Sequence, residues 1–104
     1  MTVSNLLQEA RALVEQGWCQ GEYQLHGSYC IVGALKEAQV RLHAPGEIAE
    51  MALGALTGAL PTSRGLVARA FPPWTRLIPF NDSPKMTRRR VLNLFDRALT
   101  DVTK

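Results

Sequence analysis

The segment Gly27-Ser28-Tyr29-Cys30-Ile31-Val32-Gly33-Ala34-Leu35 constrains the fold of this chain more than any other. Ile31, Ala34, Leu35 and Ala38 recur at helical spacing, so the segment opens a helix with an apolar stripe. Gly33 stands inside that helix, where glycine costs about 1 kcal/mol relative to alanine. A second backbone packed closely on this face, as in a tight helix–helix contact, accounts for a residue without bulk there. Ser28 is the expected cap, the helix starts near Tyr29, and Cys30 falls in its first turn. His43-Ala44-Pro45-Gly46 ends it.

Three further helices follow from the same reasoning. Leu6, Leu7, Ala10, Leu13 and Val14 predict an amphipathic helix from Val3 to Gln16, capped by Ser4 or Thr2. Gly17 stops it, with a left-handed cap as the expected conformation. A helix over Glu47 to Ala59 has Ile48, Met51, Ala52, Ala55 and Leu56 as its inner face, with Pro45 near its start. The last helix begins after Thr87, its natural cap, and fades near Val102; Val91, Leu92, Leu94, Phe95, Ala98 and Leu99 face inward. Between these lie two stretches read as loops. Trp18 to Ser28 is broken by Gly21 and Gly27 and anchored by Trp18, Tyr23 and Leu25. Phe71 to Met86 carries Pro72, Pro73, Pro79 and Pro84, which argue against a continuous regular element. Pro61-Thr62-Ser63-Arg64-Gly65 reads as a turn, and Leu66 to Phe71 as a short helical segment. The expected fold is all-α, a bundle of about four helices with two structured loops in a single domain, residues 1–104.

Size and composition agree with that reading. With 104 residues, 46% hydrophobic and 20% charged, the chain can bury a core without metal or disulfide staples. Charged residues, Gly or Pro interrupt every apolar run, so no membrane span is expected. No signal-peptide pattern precedes the first helix, which makes the cytoplasm the expected location. Cys19 and Cys30 are then free thiols, and neither they nor His26 and His43 form a standard zinc ligand set. No cofactor or metal is expected. An apolar helix face left over from the core would make a homo-oligomer.

The chain resembles a family of small proteins from actinobacteria and their phages, domain of unknown function 6197. The resemblance rests on Gly17-Trp18, Gly27, Cys30, Gly33-Ala34-Leu35 and Ala38, then on Asn81-Asp82, Thr87, Val91 and Asp96-Arg97-Ala98. It spans about Ala10 to Ala98. The family often has tryptophan before the Asn-Asp pair, where this chain has Phe80. The resemblance implies an actinobacterial or phage origin and brings no catalytic mechanism with it.

Three features carry chemistry. Cys30 near a helix start could be a thiolate nucleophile, with His26 or His43 as base and Asn81 or Asp82 as the orienting group; it could equally be a small buried hydrophobe. Asn81-Asp82 before Ser83-Pro84 fits a local turn in which both side chains accept backbone N–H groups, or a pairing of Asp82 with a nearby arginine. Arg88-Arg89-Arg90 opens the last helix with charge opposed to the helix dipole. It suits a solvated face, an acidic protein surface or phosphates, without the motif of a nucleic-acid-binding fold. The function expected is a non-enzymatic protein-interaction module. Its partner-binding residues are Trp74, Arg76, Lys85, Arg88, Arg89 and Arg90. The alternatives are a cysteine-dependent hydrolase or transferase built on Cys30, His26 and Asp82, and a nucleic-acid accessory protein.

Overall fold

A computed structural model of the chain describes residues 2–61 and 74–103. Within them the chain forms α1 (Val3–Gln16), a hairpin of β1 (Gln24–Leu25) and β2 (Ser28–Tyr29), α2 (Ile31–Leu42), α3 (Gly46–Gly58), α4 (Trp74–Asp82) and α5 (Arg88–Val102). The fold is mostly helical, as the apolar stripes predict. The turn and short helical segment read into residues 62–71 lie outside the described residues.

Two helices match their stripes closely. Leu6, Leu7, Ala10, Leu13 and Val14 of α1 are all buried, and Thr2 caps the helix by accepting the Asn5 amide at 3.0 Å. In α5, Val91, Leu92, Leu94, Phe95 and Ala98 are buried, and Thr87 accepts the Arg90 amide. α1 lies between α2 and α5; α3 packs on α1 and α5, and α4 on α2 and α3. Side-chain bonds tie the helices to one another. Arg11 of α1 forks onto Asp96 of α5 at 2.7 and 3.3 Å. Arg97 donates to the carbonyl of Ala59, beyond the last turn of α3.

Four expectations need correction. The stretch before Met86 contains a helix, α4, rather than only a loop, which brings the described helices to five. Pro79 lies inside it and forgoes one helical N–H. The helix forms because it sets Leu77 and Asn81 four residues apart on one face, and both are buried. The stretch after Trp18 is not irregular throughout, since Gln24 pairs with Tyr29 and Leu25 with Ser28 across a two-residue turn. Tyr23 and Leu25, expected to pack down, are about half exposed at 49% and 46%. Met51 points outward, because the buried row of α3 is Ala49, Ala52 and Leu56.

Candidate functional site: a buried amide at the head of the second helix

The residues singled out around Gly17, Cys30 and Asn81 meet in one place. The hairpin turn is His26-Gly27, both with positive φ, at 50° and 82°. Two left-handed residues are what a type I′ two-residue hairpin turn requires, and glycine supplies one at no steric cost. The returning strand runs beside the exit of α1: the Tyr29 amide donates to the Gly17 carbonyl at 2.9 Å and the Cys19 amide to the Tyr29 carbonyl at 3.2 Å. Gly17 is extended, with φ −173°, and not left-handed. Space favours glycine there, since a Cβ would stand 3.2 Å from the backbone of Gly27 and of Ser28 as well as 2.8 Å from Ser28 Oγ.

The start of α2 also differs from expectation. Ser28 lies in β2, and Cys30 itself is the N-cap, with its sulfur accepting the Gly33 amide at 3.3 Å. Gly33 does face a second backbone, but it is the Tyr23 carbonyl of the hairpin and not another helix. A Cβ on Gly33 would fall onto that oxygen. The Cys30 amide donates to the same carbonyl, so the hairpin is laced to the first turn of α2.

Asn81 closes the junction from α4. Its side chain is 1% exposed and uses all four of its hydrogen-bonding positions. Oδ1 accepts the Trp18 indole N–H at 2.8 Å and the Ile31 amide at 3.2 Å. Nδ2 donates to the Cys19 carbonyl at 3.1 Å and to Asp82 Oδ1 at 2.9 Å. Asp82 Oδ1 also accepts the Gly21 amide. Gln20 completes the seam by donating to the carbonyls of Asn81 and Ser83. The Asn81-Asp82 pair therefore does not lock its own turn, and Asp82 forms no ion pair among the described residues. Both tie α4 to a loop some sixty positions earlier in the chain. Hydrogen bonds over that separation leave no periodic trace in the sequence, where the pair beside Ser83-Pro84 suggests only a local turn.

This arrangement shapes the chemistry of Cys30. The thiol is 5% exposed, and burial pushes its pKa above the usual value, with amide donation from Gly33 and Val32 opposing the rise. Cys19 is likewise raised, chiefly by burial; its thiol donates to the Glu22 carbonyl. His26 occupies the exposed hairpin tip, and His43 is the exposed left-handed C-cap of α2. Neither histidine lines the cavity of about 270 Å³ that Cys30 borders with Glu22, Tyr23, Leu77, Ile78 and Asp82. Among the described residues, no three His, Cys, Asp or Glu side chains group to hold a metal ion.

The arginine run lies elsewhere, at the turn from α4 into α5. Arg88 donates to the Glu15 carbonyl at the end of α1, and Arg90 reaches the Lys85 carbonyl at 3.5 Å. Arg88 thus offsets its unfavourable place at one helix start by meeting the negative end of another helix. Lys85, Arg88, Arg89 and Arg90 are all exposed, and Arg76 is half-buried on α4. The side chain of Trp74 lies outside the described residues. No described helix is long and apolar enough to cross a membrane.

Comparison with known proteins gives one match. The model of a family of unknown function, DUF6197, covers residues 1–101. No curated protein and no solved structure matches.

Proposed function

The chain belongs to the family of unknown function DUF6197, and from its geometry we propose that it is a non-enzymatic interaction module that docks on an acidic protein surface through Lys85, Arg88, Arg89 and Arg90. One observation carries this reading. Among the described residues the ion pairs use only Arg11 and Arg41 as cations, with Glu15 and Asp96 for the first and Glu9 and Glu37 for the second. The four cations at the α4–α5 turn have no carboxylate partner there, and all four are exposed, Arg88 and Arg90 reaching only backbone carbonyls. Arginine is well suited to such a surface, because its guanidinium forks onto carboxylates and is weakly hydrated. The buried thiol of Cys30, whose sulfur accepts the Gly33 amide, supports a structural role for the junction at the head of α2.

A pull-down from nuclease-treated lysate of the cells that carry the gene tests the proposal. The bait is the parent chain or a Lys85→Glu/Arg89→Glu variant, which spares the Arg88 bond to α1. Partners captured by the parent are expected to be lost with the variant and to elute as salt is raised. Retention of the same partners by the variant overturns the proposal. Loss of all partners on nuclease treatment replaces the acidic protein with nucleic acid.

A further inference from the structure

The cavity beside Asn81 has a chemical character of its own. Its walls include Val32, Leu77 and Ile78, and its ionisable carboxylates are Glu22 and Asp82, both exposed. Among the described residues no lysine, arginine or histidine lines it. At about 270 Å³ it is below the usual range for a whole cofactor or nucleotide and suits a single long side chain. Asp82 spends one oxygen, Oδ1, on the Gly21 amide and on Asn81 Nδ2, which leaves Oδ2 for an incoming donor. At Asp82 that favours a point cation over a guanidinium, whose fork needs both oxygens of one carboxylate. Lys36, whose ammonium stands 4.6 Å from the centre of the Tyr23 ring, lines the neighbouring groove instead.

We infer that this cavity is a binding site for a lysine side chain of a partner polypeptide. Its methylenes lie along Val32, Leu77 and Ile78, and its ammonium sits between Glu22 and Asp82. The site is separate from the basic surface of α5 and stands or falls independently of it. Because Asn81 fixes both Asp82 and the head of α2, the cavity is held ready without a ligand.

The test is an NMR titration of the full chain with a blocked Gly-Lys-Gly peptide, beside the acetyl-lysine and arginine counterparts. The lysine peptide is expected to bind with a Kd on the order of 1 mM, fitting one side chain in a small site. It should move the amide signals of Gly21, Glu22 and Tyr23, and the acetylated peptide should not. A Glu22→Gln/Asp82→Asn variant, which keeps an acceptor for Gly21 and whose folding is checked by its amide spectrum, should bind roughly tenfold more weakly. Equal binding of the acetylated peptide, tighter binding of the arginine peptide, or no movement at these amides overturns the inference. An unaltered Kd in the double variant does so as well.

Discussion

Asn81 makes four bonds that no other side chain of its size could make at once. Two are accepted and two donated, to groups on three separate stretches of the chain. Asn81→Ala would strand the Trp18 indole, the Ile31 amide and the Cys19 carbonyl. Each buried group without a partner costs about 1–3 kcal/mol, so with partial access of water the variant should lose about 3 kcal/mol in a urea melt. Gly33→Ala should cost about 2–4 kcal/mol, because the new methyl meets the backbone of Tyr23 and not a side chain that could turn away. The sequence marks both residues as unusual. It shows that Gly33 needs space, but not that a hairpin carbonyl fills it. It shows that Asn81 is a polar residue among turn formers, but not that it is buried, because its partners lie in a different part of the chain.

The head of α2 is where the elements depend on one another. Cys30 caps the helix, the Tyr23 carbonyl takes the Cys30 amide, and Asn81 takes the next amide. Serine is a better cap than cysteine, so Cys30→Ser should fold with stability within about 1 kcal/mol of the parent. The pH dependence has a definite sign. Burial raises the folded-state pKa of Cys30 above its ordinary value of 9.0. The folded state therefore holds the proton more tightly than the unfolded chain does. This contribution is fully present below pH 9 and is lost as pH rises through the folded-state pKa. Urea melts of the parent should show stability falling in that alkaline range, and Cys30→Ser should show a smaller fall. A Cys30→Ser variant as sensitive as the parent would assign the loss to other groups. Legibility at this scale follows periodicity. α1 and α5 declare themselves through stripes of Leu, Val and Phe. α4 is hidden by Pro79, and the hairpin by strands of two residues, too short to alternate.

At the scale of the whole molecule, the ion pairs among the described residues gather on two arginines. Arg11 and Arg41 are spent on acidic neighbours and hold helices together, whereas the exposed cations of the α4–α5 turn have no carboxylate partner among the described residues. The sequence reports the run Arg88-Arg89-Arg90 but not this division, since pairing depends on which helices become neighbours. Arg88 illustrates the point, because its tie to the Glu15 carbonyl becomes visible only when α5 lies along α1. The basic corner as a docking surface is tested most directly by photo-crosslinking in the cells that carry the gene. A benzophenone side chain would replace the exposed Asn93, one turn after Arg89 on α5, or the exposed Met51 on α3 as a control. Docking at the basic corner predicts protein adducts from position 93 that vanish with Lys85→Glu/Arg89→Glu and are missing from position 51. The same adducts from both positions, or adducts from position 93 that survive the charge reversal, would contradict it.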